Sequence, residues 1–155
     1  MQKTLVILKP DALQRGLIGE ITTRFEKKGL KLVANKMAQL DSKTLRDHYS
    51  HLADKPFFPT IESFMSSSPV IIQVWEGFEA IEVIRTMCGV TNSRAAAPGT
   101  IRGDLSSSYG SNVIHASDSE QSAEEEVKRF FNDKELFSYN KVIEQYSYSD
   151  EERDN

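Results

Sequence analysis

Four consecutive apolar residues near the start of the chain, Leu5-Val6-Ile7-Leu8, constrain its fold more than any other feature. A run this short, with no polar alternation, reads as a strand buried on both faces. Pro10 has no backbone N–H to offer a neighbour and turns the chain out of the sheet, which leaves Lys9 at the strand's end. Leu30 to Leu40 reads as a second strand, Val70 to Trp75 as a third, and Val113 to Ala116 as a fourth.

The segments between these runs carry helical spacing. Ile18, Ile21 and Phe25 form one stripe, stopped by Gly29 beyond the basic turn of Lys27 and Lys28. Ser42 is a fitting N-cap for a helix bearing Leu45, Tyr49 and Leu52. Lys55-Pro56-Phe57-Phe58-Pro59 interrupts before a short helix with Ile61, Phe64 and Met65, so this region reads as a helical hairpin. Ile81, Ile84 and Cys88 mark the next helix, closed by Gly89, with Arg85 in its last turn. Asp118 or Ser119 caps a helix whose stripe is Ala123, Val127, Phe130 and Phe131. Val90 to Ser111 lacks periodicity, and a loop of that length in a compact domain is read as functional. The tail beyond Asn132 reads as irregular and ends in acidic charge.

The resulting order is a βαββαβ pattern, which predicts an α+β, ferredoxin-like sandwich: a four-stranded antiparallel sheet with helices on one face. With 155 residues, no repeat and no low-complexity linker, the expectation is one domain over residues 1–155. A net charge of −4 disfavours stable binding to a nucleic-acid backbone. One cysteine, Cys88, excludes an internal disulfide and a thiolate metal cluster, and reads as a small core residue. Without a membrane-length apolar stretch or a secretory leader, the expectation is a soluble, cytoplasmic protein.

Chemistry concentrates in Asn112-Val113-Ile114-His115-Ala116-Ser117-Asp118-Ser119, where a histidine ends an apolar run among small polar residues. Cations stand elsewhere at element ends: Lys9 in Lys9-Pro10-Asp11, Arg85 in a last helical turn, and Arg102 in the loop Pro98-Gly99-Thr100-Ile101-Arg102-Gly103-Asp104. Such places can converge on a polyphosphate. A nucleophilic histidine near cations suggests phosphoryl transfer: an unperturbed imidazole, with a pKa of about 6.5, is largely neutral at neutral pH, and its N–P bond stays reactive. No phosphate-cradling G-x-x-x-x-G-K-[ST] loop occurs, and no protein-kinase motif set, so side chains must hold the phosphates.

From about Lys3 to Leu136 these segments, in this order, resemble the nucleoside diphosphate kinase family. The resemblance implies a ping-pong enzyme that moves the terminal phosphoryl of ATP or another nucleoside triphosphate to a nucleoside diphosphate through Nδ1 of His115. It implies that Glu126 steadies the other ring nitrogen, with Ser117 holding that carboxylate. Lys9 and Tyr49 fall near the transferred phosphoryl, Arg85, Thr91 and Arg102 on the inner phosphates, and Asn112 with Lys9 on the ribose. His48 is placed against a phosphate. Phe57 stacks on the base, backed by Ile61, with weak base selectivity. Mg²⁺ arrives with the nucleotide rather than in a protein cage. A homo-oligomer is implied, and the tail favours a hexamer over a tetramer. Two positions depart from the commoner pattern: Ala116, where glycine often follows the histidine, and Tyr109, where a smaller apolar residue often flanks the base.

Residue by residue, plainer readings compete. Glu126 in Glu124-Glu125-Glu126 fits a solvated charge, Phe57 a core plug, Tyr49 a helix stripe, and Arg85 a complement to its helix end. Asn112 fits a turn, Thr91 a loop hydroxyl, and His115 a structural strand histidine. The rival from another class is a ferredoxin-like binding module that keeps a nucleotide pocket without turning substrate over.

Overall fold

The computed structural model describes residues 1–142 and 144–153. In chain order it runs β1 (Gln2–Leu8), α1 (Pro10–Gln14), α2 (Ile18–Lys28), β2 (Lys31–Ala38), α3 (Ser42–His48), α4 (Phe58–Met65), β3 (Val70–Gly77) and α5 (Ala80–Cys88). It continues through α6 (Ile101–Leu105), β4 (Ile114–Ala116), α7 (Glu120–Phe130), α8 (Glu144–Ser147) and α9 (Asp150–Arg153). Short 3₁₀ turns occupy Ser93–Ala95 and Asp133–Glu135. Among the described residues no helix is long and apolar enough to cross a membrane.

The strands form one sheet in the order β2-β3-β1-β4, with every neighbouring pair antiparallel. This is the ferredoxin-like arrangement expected from the βαββαβ pattern. The helices, however, cover both faces. Along β1, Val6 and Leu8 join Ile21, Phe25, Trp75 and Ile84 in one core, while Leu5 and Ile7 join Leu45, Phe58, Val127 and Phe130 in another. Side chains alternate across a strand, so a run apolar at every position needs cover on each side. α2 and α5 supply one cover; α3, α4 and α7 supply the other.

Local chemistry moves several boundaries. Asp41, not Ser42, caps α3, accepting from Thr44 N at 2.8 Å, and Ser42 Oγ instead donates to the Glu62 carboxylate. The helix ends at His48, so Leu52 lies in the turns beyond it. Pro10 begins a helical turn, where its missing N–H costs nothing. Ser119 caps α7, accepting from Ser122 N at 3.1 Å. The tail is less irregular than its composition suggests, because it lies along the outer side of β2. Phe137 N donates to Val33 O at 3.0 Å, Tyr139 OH to Leu32 O at 2.8 Å, and Lys141 Nζ to Leu30 O at 2.9 Å.

The loop before β4 is packed to its limit around α6. Thr100 caps that helix, accepting from Gly103 N at 3.0 Å and donating to Ala97 O at 2.6 Å. A Cβ on Gly103 would sit 2.0 Å from the Ala97 carbonyl oxygen, and backbone cannot swing away as a side chain can. Gly103→Ala is therefore expected to destabilise the protein by about 1–3 kcal/mol, measured by urea unfolding, with the damage centred on the segment that carries Arg102. Unchanged stability would show that the loop yields freely.

Candidate active site

The site is built where β4 meets the end of β1. Ile7 pairs with His115 and Leu8 with Ile114, and Lys9 N donates to Val113 O at 2.9 Å. Ile114 and Ala116 belong to the core beneath α2 and α5, so alternation turns His115 to the opposite face, toward α3 and α7. Immediately before the strand, Val113 has φ 61°, and Ile114 N donates to Asn112 O at 2.7 Å. This is a γ-turn of the strained, positive-φ kind, unfavourable for a β-branched residue and stable only when its surroundings enforce it.

The surroundings do so with polar groups. Asp11 Oδ2 accepts from Val113 N at 3.1 Å. Arg102, buried at 9% exposure, donates Nη2–H to Ile114 O at 2.7 Å, Nη1–H to Gly89 O at 2.7 Å and Nε–H to Asn112 O at 3.4 Å. Asn112 Nδ2 donates to the carbonyls of Thr91 and Tyr109, each at 3.0 Å, and its Oδ1 accepts from Lys9 Nζ at 2.6 Å. Burial, then the charge of Arg102, lowers the Lys9 ammonium to about 8, with Asp11 opposing. A cation that resists its own charge in this way favours an arriving anion.

On the other side of β4, α7 presents Glu126 beside its apolar stripe of Ala123, Val127 and Phe130. At 8% exposure Glu126 is no solvated charge. Its Oε1 and Oε2 lie 3.0 and 3.1 Å from Nε2 of His115, and Ser117 Oγ donates to Oε2 at 2.6 Å. Burial alone would raise this carboxyl, but the hydrogen bonds from His115 and Ser117 and the nearby imidazoles hold it below the usual range. Ser117 is itself fixed, because its Oγ accepts from Leu5 N at 3.2 Å and its own N donates to Leu5 O at 3.1 Å. An ionised carboxylate only accepts, so the proton is assigned to Nε2. Nδ1 then carries the lone pair and has no hydrogen-bond partner among the described residues.

His48 lies against His115 in an edge-on ring contact of 4.6 Å, and Tyr49 stands edge-on to His48, 6.4 Å from the His115 ring. The His48 side chain is only 1% exposed. Burial and the adjacent His115 push it down to about 3, so it is neutral. Arg129 Nη1 approaches its Nδ1 at 3.4 Å, while its buried Nε2 has no hydrogen-bond partner among the described residues. Burial also raises the Tyr49 phenol, keeping the hydroxyl protonated.

Two groups therefore adjoin: His115, Glu126, Ser117 and Tyr49, and Lys9, Asn112, Arg102 and the Thr91 backbone. Arg85 is exposed in the last turn of α5, where its charge acts on Arg102 and Asp118. Phe57 is 52% exposed at the start of α4 and so is no core plug; Phe58, at 1%, fills that place. Ile61 is half-buried one turn further on. Among the described residues, Phe57 and Ile61 share no hydrogen bond or ring contact with the two groups, though α4 packs on α3. Tyr109 is exposed and contributes its carbonyl. Sequence reasoning assigned no site role to Asp11 or Arg129. Asp11 is the acid directly after Lys9-Pro10, a signal the sequence carries, whereas Arg129 in the last turn of α7 has no local signal that sets it apart.

An α+β sandwich with a polar cluster where its edge strand β4 meets the end of β1 is the class that these features define. The model of the nucleoside diphosphate kinase family matches residues 2–136. A nucleoside diphosphate kinase from Parabacteroides distasonis is 60% identical over 139 residues, covering 90% of this chain and 91% of that protein. Another, from Natronomonas pharaonis, is 50% identical, covering 95% and 97%. The structure of the halophilic nucleoside diphosphate kinase from Halobacterium salinarum in complex with CDP superposes with a TM-score of 0.94 at 44% identity, covering 96% of this chain and 99% of that one. A transition-state mimic of the Borrelia burgdorferi nucleoside-diphosphate kinase, with vanadate and ADP, gives 0.87 at 40% identity, covering 95% and 98%. The chain belongs to the nucleoside diphosphate kinase family and is an enzyme of its phosphotransferase class.

The lowered Lys9 has a signed consequence. The unfolded chain keeps that proton up to about 10.5 and the folded one only to about 8, so between these values the unfolded state binds more protons. Stability from this group therefore rises with pH across that window, by about 3 kcal/mol, and is flat below it. Urea unfolding of wild type and Lys9→Met at pH 7.5 and 10 should show wild type gaining stability relative to the variant between the two pH values. A pH-independent difference between the two would refute the buried-charge account.

Proposed function

We propose that this chain, as a single domain over residues 1–155, transfers the terminal phosphoryl of a nucleoside triphosphate to a nucleoside diphosphate by a ping-pong route through His115. The observation that carries this reading is the asymmetry of the His115 ring, with Nε2 held by Glu126 and Nδ1 left with its lone pair. In the first half-reaction Nδ1 attacks the γ-phosphorus. An N–P bond forms, the bond from phosphorus to the β–γ bridging oxygen breaks, and the nucleoside diphosphate leaves with that electron pair. Nε2–H stays on the ring, and the positive charge developing there is met by the Glu126 carboxylate. The second half-reaction is the reverse, with a different diphosphate as acceptor.

Lys9 and Tyr49 act near the transferred phosphoryl, and Lys9 with Asn112 on the ribose hydroxyls. Arg85, Thr91 and Arg102 take the inner phosphates. A guanidinium has five N–H groups, and three of those on Arg102 go to carbonyls, so two remain for a phosphate. The exposed Phe57 offers a π-face that any base can use, backed by Ile61, which supports broad base specificity. Mg²⁺ enters as part of the nucleotide substrate. Bound through the nucleotide's own phosphates it would neutralise their charge, while Lys9, Arg102 and Asn112 would meet the remaining oxygens. The reading extends to a cytoplasmic homo-oligomer, a hexamer rather than a tetramer, with no stable nucleic-acid or membrane partner.

Incubation with γ-labelled ATP and Mg²⁺ should give acid-labile, alkali-stable label on wild type, chased by GDP, and none on His115→Ala. Glu126→Gln should lower kcat by about 10²-fold or more, with KM little changed, because its contact strengthens as charge develops. A folded, nucleotide-binding wild type that takes no label would leave a binding module instead.

A further inference from the structure

His48 is assigned no part in the proposed transfer, yet a buried polar ring whose Nε2 has no hydrogen-bond partner among the described residues costs stability that an apolar residue of similar size would not. Its Nδ1 lies 3.8 Å from Glu126 Oε1, and one ligand atom from each of His48, His115 and Glu126 falls within 4.8 Å of the other two. We propose that these three residues form a binding site for a borderline-soft divalent ion of the Zn²⁺ class, and that occupation of the site switches the His115 nucleophile off.

The donor set decides the ion. Two imidazoles and one carboxylate suit Zn²⁺, whereas Mg²⁺ and Ca²⁺ require mainly oxygen. Ligand atoms about 2.0–2.1 Å from a tetrahedral ion stand about 3.3 Å apart, and a shift on the order of 1 Å brings the three to that spacing. The His115 side chain is 22% exposed, which gives the ion entry and leaves its fourth position to water.

The single opposing charge in contact with the cluster is Arg129, whose Nη1 is 3.4 Å from His48 Nδ1. Arg129 is exposed, so its side chain can turn outward, but its presence weakens the site. The switch follows from proton placement. A metal on Nε2 of His115 takes that nitrogen's lone pair, and the proton it carried moves to Nδ1, so none is gained or lost. Nδ1 then has no lone pair to attack phosphorus. This last step rests on His115 as nucleophile; binding of the ion does not.

The test begins without nucleotide. Zn²⁺ is titrated against a chromophoric chelator, and Co²⁺ is used as a visible probe of four-coordinate geometry. One ion per chain is expected, with intense Co²⁺ bands. His48→Gln should weaken binding by about tenfold or more, exposed His51→Gln should not, and Arg129→Leu should tighten it. Arg129→Leu keeps the proposal testable if His48→Gln fails to fold, since a loose surface ion would be indifferent to Arg129. Zn²⁺ bound before labelled ATP should suppress label on His115. Equal binding by wild type and His48→Gln, no Co²⁺ bands, or no tightening in Arg129→Leu would overturn the site. Site binding without loss of label would overturn only the switch.

Discussion

The guanidinium of Arg102 gathers the carbonyls of Gly89, Asn112 and Ile114, and so ties the end of α5, the turn before β4 and β4 itself to one point. β4 is three residues long and pairs only with β1, which is little to hold an edge strand in register. The guanidinium supplies what the short ladder lacks. It also stabilises the positive-φ turn at Val113, together with Asp11 and the Lys9–Asn112 pair. His115 sits two residues after that turn, and its position depends on the turn keeping its shape. The cation proposed to meet the inner phosphates is thus also the brace of the strand bearing the histidine.

A second dependence runs through polarity. His115 leaves the sheet toward α7, where a carboxylate would ordinarily be too costly to bury. Glu126 is affordable there because the His115 ring and the Ser117 hydroxyl satisfy it, and Ser117 is locked in turn by the Leu5 backbone at the middle of β1. The central strand therefore orients the histidine twice, through the β1–β4 ladder and through Ser117. The neutral His48 beneath adds bulk without a competing charge, so the Glu126 carboxylate remains available to His115.

Much of the fold was legible because its signals are local. The apolar run at Leu5–Leu8, the Gly29 and Gly89 stops and the helical stripes follow from period and backbone freedom, and the four-stranded antiparallel sheet expected from them is the one found. The expectation of helices on one face failed although Leu5–Leu8 already implied cover on both. The tail was misjudged because its docking uses backbone carbonyls of β2, which composition does not display. The choice of Asp41 over Ser42 as cap turned on one hydroxyl finding a better partner in Glu62, twenty residues away.

For the site, sequence gave residue types and order, and through them the family; the match over residues 2–136 spans nearly the same stretch as the resemblance. It determined which groups are available: one histidine in a strand, cations at a strand end, a helix end and in a loop, and an acid eleven residues after the histidine. Tertiary structure decided what those groups are. Glu126 is one of three consecutive glutamates, and only the turn of α7 against β4 makes it the buried one. Lys9 is an ordinary strand-end lysine until burial beside Arg102 lowers its proton affinity. The physical reason is the same in each case: identity and period act along the chain, whereas desolvation and hydrogen-bond pairing depend on neighbours that are distant in sequence.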